Sequence, residues 1–205
     1  MDINAVLNDA LKVLKEGGVI LYPTDTVWGI GCDATNEKAV AKVFEIKKRS
    51  EAKSLVLLAS DLDMVAKYVK EIPSIAIDLV EVNDAPMTII YPEAQYLAPN
   101  AVAEDGSVGI RIPFVEQGPD PRIRPEITGG ASFCRELARR LRRPLVSTSA
   151  NISGEPTPNS FKEISEEIRN AVDYIVPRAL EEGATGRASQ IIKLGLGGEV
   201  KIIRA

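Results

Sequence analysis

Leu145-Val-Ser-Thr-Ser-Ala-Asn-Ile-Ser-Gly-Glu-Pro-Thr157 changes character abruptly: an apolar start reads as a buried strand, and five hydroxyls, an asparagine and a glycine follow directly. In α/β sheets, ligands bind in the crevice off the carboxyl ends of strands. Hydroxyl and amide groups placed there hold phosphate oxygens or a ribose without adding charge. A loop that merely capped the next helix would have no need for Ser147, Ser149 and Asn151 at the mouth of a strand.

Working outward, the chain alternates helix and strand patterns without strict one-to-one order. Val6, Leu7, Leu11 and Leu14 give helical spacing over about Ala5 to Glu16, stopped by Gly17-Gly18, and Val19 to Tyr22 is a short buried strand. Asn36 caps a helix bearing Val40, Val43, Phe44 and Ile46 on its apolar side. Ser54 to Ala59, Met87 to Tyr91, Ser107 to Ile112 and Pro144 to Thr148 read as strands. Asp61 caps a short helix towards Lys70, Pro73 starts another, and Phe133 to Arg142 forms a helix heavy in arginine. Ser160 and Glu163 make a capping box for a helix to about Asn170. Tyr174 to Val176, Gln190 to Leu194 and Val200 to Ile203 close the sheet. The pattern predicts one α/β domain over 1–205 with a mixed twisted sheet. Residues 114–132, rich in proline and glycine among charges, read as a long surface loop.

Composition narrows the chemistry. The chain has 205 residues, 45% hydrophobic and 26% charged, which is ordinary for one globular core. A net charge of -4 argues against coating nucleic acid by bulk charge. There is no histidine, so Ser-His-Asp triads, Cys-His dyads, HExxH zinc sites and His-based proton transfer are excluded. Cys32 and Cys134 lie in no metal-like spacing and read as reduced packing residues of a cytoplasmic protein. The N-terminus is amphipathic and acidic rather than signal-like, and no apolar run approaches the ~20 residues of a membrane span, so no membrane is expected.

Three further segments stand out. Tyr22-Pro-Thr-Asp-Thr-Val-Trp-Gly-Ile-Gly-Cys32 follows a strand with hydroxyls, one carboxylate and glycines, which suits either a self-bonded turn or a small polar ligand. Lys47, Lys48, Arg49 and Lys53 cluster between a helix end and a strand; the helix dipole explains the first three, and fixed charge for phosphate explains all four. Arg111 sits among Val108, Ile110 and Ile112, so its guanidinium needs a partner, either a structural carboxylate or a ligand's. Arg135, Arg139, Arg140, Arg142 and Arg143 read as a solvated face, with an RNA-contacting stripe as the lesser alternative.

Taken in order, these segments resemble the YrdC/Sua5 family. PTDTVWGIG, Lys47-Lys48-Arg49, SVGIRIP, STSANISGEPTP, Pro86-Met87-Thr88 and Gly186 to Leu194 are similar to its successive motifs, from about Ala5 to Arg204. The resemblance implies a concave, twisted mixed sheet with ligands in its hollow. It implies a threonylcarbamoyl-AMP synthase, which condenses L-threonine, bicarbonate and ATP in the first step of t6A tRNA modification. Thr26, Arg111, Ser147 and Ser189 would then hold threonine, and Lys47, Arg49, Lys53, Ser107, Ser149, Asn151, Thr157 and Arg204 would hold ATP. Lys47 and Arg49 would offset charge as pyrophosphate leaves. Mg2+ would accompany the phosphates without dedicated protein ligands, and the product would pass to a tRNA threonylcarbamoyl-transfer complex. The family's other implied behaviour is binding of tRNA or double-stranded RNA. Departures from its pattern include Trp28 for a smaller aromatic, Ser50 and Ser54 for prolines, Leu58 for a histidine, Ala85 for a glycine and Gln190 for a threonine.

Overall fold

A computed structural model describes residues 1–49, 55–116 and 125–205. Its described strands form one mixed sheet. In chain order they are β1 (Ile20–Pro23), β2 (Trp28–Gly31), β3 (Val56–Leu58), β4 (Met87–Tyr91), β5 (Val108–Arg111), β6 (Leu145–Ser149), β7 (Tyr174–Ile175), β8 (Gln190–Leu194) and β9 (Val200–Arg204). Their spatial order is β7-β1-β2-β6-β3-β5-β4-β8-β9. The pairs β1–β7, β3–β5 and β4–β8 are parallel and the others antiparallel.

Successive side chains alternate between two apolar cores, as the two-residue period of a strand requires. Ile20, Tyr22, Leu58 and Leu145 face a core completed by α1 (Ile3–Lys15) and α5 (Gly130–Leu141). Leu21, Ile30, Leu57 and Val146 face the other, completed by α2 (Glu37–Ile46) and α3 (Leu62–Tyr68). Truncating a fully buried leucine such as Leu137 should cost ~2–5 kcal/mol. The helix starts are fixed locally: Asp2 accepts from the Asn4 and Ala5 amides, Asn36 from Ala39 and Asp61 from Met64. A fourth helix, α4 (Ser74–Val82), follows Pro73.

Two glycines let elements touch where the site forms. A Cβ on Gly31 would lie 1.8 Å from the Val146 carbonyl oxygen, so only glycine lets β2 press onto β6 there. A Cβ on Gly130 would lie 2.6 Å from the Thr24 carbonyl oxygen, so the start of α5 rests directly against the turn leaving β1.

Several boundaries differ from the sequence pattern. Helix α5 begins at Gly130, three residues inside the stretch read as loop; Ser132 turns its hydroxyl back to the Gly129 carbonyl, 3.1 Å away, and nucleates the first turn. The helix read from Ser160 is two pieces, a 3₁₀ turn at Phe161–Glu163 and α6 (Glu166–Ala171), because Ser165 caps anew by accepting from the Ile168 amide at 3.3 Å. Of the 114–132 stretch, residues 117–124 lie outside the described residues, as do Ser50, Lys53 and Ser54. No described helix is long and apolar enough to cross a membrane.

Candidate functional site

The concave middle of the sheet holds a hollow of about 370 Å³, within the usual range for small-molecule sites. Thr24 and Thr26 line it from the turn between β1 and β2, Trp28 from the start of β2, Arg111 from the end of β5, Ser147, Thr148 and Ser149 from β6, and Ser189 from just before β8. Arg49, Thr157 and Arg204 complete the rim. Three guanidiniums, those of Arg49, Arg111 and Arg204, therefore line a wall that contains no carboxylate among the described residues. A site so charged favours anions.

Arg111 has the structural carboxylate partner that its sequence position demanded, and it also lines the hollow. Its Nη2 lies 3.1 Å from Asp25 Oδ1 and donates to Thr26 Oγ1 at 3.3 Å. Both members of the ion pair have side chains only 6% exposed. Burial of this kind is tolerated only as a pair. Neither oxygen of Asp25 is otherwise hydrogen-bonded, and Arg111 Nε is buried without an acceptor among the described residues. The guanidinium is thus half-satisfied from behind by Asp25 and open towards the hollow.

The hydroxyls beside it are oriented. Thr24 Oγ1 donates to the Val27 carbonyl at 2.7 Å and accepts from the Thr26 amide at 3.0 Å. Its single hydrogen is then committed, so in the 3.0 Å contact between the two hydroxyls Thr26 must donate. Thr26 Oγ1 is left as an acceptor next to the Arg111 donor. That juxtaposition fits a group that offers a carboxylate and an N–H together. Ser189, on the opposite wall, shares a buried 2.8 Å hydrogen bond with Thr88.

Lys47 does not line the hollow. It is 2% exposed, and Nζ donates to the carbonyls of Ser149 and Asn151 at 2.5 and 2.7 Å and to Asn151 Oδ1 at 3.3 Å. An ammonium has three hydrogens, and all are spent on the loop leaving β6. Burial, and secondarily the nearby Arg49, pull its pKa down to about 8. Asn151 is tied into the same turn, its Nδ2 donating to the Glu155 carbonyl at 2.7 Å, and it too lies outside the lining. Lys48, at φ 49°, points away and pairs with exposed Glu167 at 2.7 Å. Arg49, on the rim, contacts Thr148 Oγ1 at 3.4 Å.

The structure therefore brings together Thr26, Arg49, Arg111, Ser147, Ser149, Thr157, Ser189 and Arg204. Ser107 lines a second hollow, of about 490 Å³, which shares Val56 and Ile191 with the first. Residue patterns alone missed Thr24, Thr148 and the pairing of Asp25 with Arg111. A buried arginine demanded a partner, but nothing in the spacing pointed to Asp25, 86 positions earlier. Trp28 packs against Phe161 with ring centroids 5.0 Å apart and supplies an aromatic wall. Leu58 is fully buried in the core under α1 and α5.

The basic helix carries its own counter-ions. Arg139 and Arg140 both pair with Glu136 at 2.6 and 2.7 Å, Arg143 pairs with Asp33 at 2.6 Å, and Arg135 donates to the Ser60 carbonyl at 2.9 Å. Two carboxylates thus offset two of the five guanidiniums of this stretch, and Arg135 is turned onto a backbone carbonyl. Cys32 and Cys134 are free, buried thiols pushed up in pKa by desolvation, which suits packing and not nucleophilic attack.

Comparison with known proteins bears on the family and the fold. The Sua5–YciO–YrdC family model, described as "Telomere recombination", matches residues 12–116 and 130–205. A threonylcarbamoyl-AMP synthase of Coxiella burnetii (strain RSA 493 / Nine Mile phase I) is 31% identical over 191 residues, 93% of each chain. One from Stenotrophomonas maltophilia (strain K279a) is 31% identical over 187 residues, 90% of this chain and 89% of its own. The crystal structure of P. abyssi Sua5 complexed with L-threonine superposes with a TM-score of 0.75 at 26% identity, covering 92% of this chain. This chain spans about half of that one, 50% by coverage.

Proposed function

The chain belongs to the Sua5–YciO–YrdC family, and from that premise we propose that it is an L-threonylcarbamoyladenylate synthase, joining L-threonine, bicarbonate and ATP into threonylcarbamoyl-AMP and pyrophosphate. The observation that carries this reading is the hollow itself: a half-satisfied Arg111 beside an acceptor Thr26, Arg49 and Arg204 on the same lining, and no lining carboxylate among the described residues.

In this reading Arg111 pairs the threonine carboxylate and Thr26 accepts from its amine, with Ser147 and Ser189 on the flanking walls. The amine adds to bicarbonate-derived carbon and water is lost, giving a carbamate. A carbamate oxygen then attacks the α-phosphorus of ATP, the bond to the β-phosphate oxygen breaks, and pyrophosphate departs. This chemistry asks for positioning and charge stabilisation more than for a proton carrier, which suits a chain with no histidine. Arg49 and Arg204 oppose the phosphate charge, Ser149 and Thr157 offer hydroxyls, and Mg2+ enters on the triphosphate. Lys47 serves as a positioning residue: it clamps the Ser149–Asn151 turn rather than meeting phosphate. Its assignment as a direct phosphate contact is not what this geometry supports. Lys53 completes the family's set of cations from outside the described residues.

The product, a mixed anhydride, is handed to a tRNA-modifying complex in the cytoplasm, a location that fits the two free thiols. The test is pyrophosphate release with ATP and each of the twenty amino acids, with and without bicarbonate. Release that needs both threonine and bicarbonate is expected; equal turnover with all amino acids would remove the assignment.

A further inference from the structure

The two adjoining hollows differ in charge, and the difference orients a nucleotide. The first is lined by Arg49, Arg111 and Arg204 without a carboxylate, whereas the second sets Glu104 and Asp105 against Lys193 and Lys201. Phosphates belong in the first and an uncharged nucleoside in the second.

Within the second hollow one hydroxyl has a fixed polarity. Ser107 Oγ lies 2.5 Å from Asp105 Oδ1, and the Ser107 amide donates to the same oxygen at 3.0 Å. Asp105 Oδ2 pairs with Lys193 Nζ at 2.6 Å. Hydrogen bonds from Lys193 and Ser107 hold the Asp105 carboxyl well below the usual range, so it is ionised and can only accept. Ser107 must therefore give it its one hydrogen, and only lone pairs remain for a ligand. At neutral pH the hydrogen-bond donors of ATP are its exocyclic amine and its ribose hydroxyls; the ring nitrogens and phosphate oxygens accept.

We propose that Asp105 is a positioning residue that locks the Ser107 hydroxyl as an acceptor, so that this wall selects a hydrogen-bond donor of the nucleoside and thereby sets nucleotide choice. The inference rests on the reading of the site as ATP-binding. It assigns Ser107 to the nucleoside end of the nucleotide and not to its phosphates. Lys193 is an accessory to Asp105, because the carboxylate accepts from Ser107 whether or not the lysine is present.

Calorimetric titration of the intact chain with ATP, its 6-oxo analogue ITP, 2′-deoxy-ATP and 3′-deoxy-ATP tests this, in the wild type and in Asp105→Ala, Ser107→Ala and Lys193→Ala. Thermal midpoints check folding, and the exposed Asp105–Lys193 pair, with side chains 54% and 41% exposed, should leave them within a degree or two. If the donor is the exocyclic amine, ITP binds about tenfold more weakly than ATP, and Asp105→Ala closes the gap by freeing Ser107 to donate to the 6-oxo group. If the donor is a ribose hydroxyl, one deoxy analogue carries the about tenfold penalty; it disappears in Ser107→Ala and shrinks in Asp105→Ala, where the hydroxyl still accepts but is no longer held in place. Either pattern, retained in Lys193→Ala, supports the inference. Binding of all four nucleotides with equal affinity, or a preference that Asp105→Ala leaves untouched, overturns it while leaving the ATP site standing. Failure of the wild type to bind any nucleotide overturns both.

Discussion

The two hollows are held by opposite means. In the first, Arg111 and Asp25 form a buried pair whose members are both 6% exposed. In the second, Asp105 and Lys193 form a pair about half-exposed to water. A buried pair is expensive to break because the survivor is left charged in a poor solvent, while an exposed pair is worth little. The first hollow should therefore couple ligand binding to fold stability. The second can vary its preference with little structural consequence. Permanence and adjustability are thus divided between two ends of one groove.

Removing Asp25 is the largest way to break this contrast. Asp25→Ala leaves Arg111 buried and unpaired and should cost ~3–5 kcal/mol in urea unfolding; a loss below ~1 kcal/mol would show that solvent or rearrangement neutralises Arg111 and that the buried–exposed distinction is not functional. Arg49→Ala should lower pyrophosphate release about 100-fold with little change in threonine affinity, the scale of losing one charge-stabilising group. Unchanged turnover would move the phosphates elsewhere. Thr26→Val, which keeps the shape and removes the acceptor, should weaken threonine binding about tenfold by calorimetry without altering ATP affinity.

The smallest effect concerns Lys47. Its folded-state pKa of about 8 lies below the ~10.4 of an unfolded lysine, so between those values the unfolded chain holds more protons. The contribution of this group to stability therefore rises with pH from about 8 towards 10.4. The buried Cys32 and Cys134 thiols, raised in pKa, act in the opposite direction in both proteins, so the urea midpoint of the wild type should gain on that of Lys47→Met between pH 7.5 and 9.5. Parallel responses would mean that Lys47 remains fully charged under the loop.

What the sequence made legible follows from range. Strand and helix identities rest on local periodicity and capping, and they were readable wherever Asn36, Asp61 and Gly17 set boundaries. The long helix read from Ser160 broke in two because Ser165 offers a second cap, and two adjacent cap signals cannot be ranked by pattern alone. In the site, Arg111 and the Ser147–Ser149 strand end stood out because polar groups in apolar runs demand partners. Lys47 and Arg49 looked alike in sequence yet separate in space. The backbone turns sharply at Lys48, φ 49°, which buries Lys47 beneath the loop and leaves Arg49 on the rim. Asp25 and Asp105 gave no signal, since a turn carboxylate is ordinary and only tertiary contact shows what it faces. The family resemblance supplied the roles that residue chemistry left open, and the comparisons agree with it on family and fold.

Product identity tests the central claim most directly. The intact chain would be incubated with ATP, L-threonine and 13C-bicarbonate, and the nucleotide products resolved by mass spectrometry. A threonylcarbamoyl adenylate carrying one 13C per molecule, formed together with pyrophosphate, is the predicted result. AMP and pyrophosphate without any 13C-labelled adenylate, or an unlabelled threonyl adenylate, would contradict it.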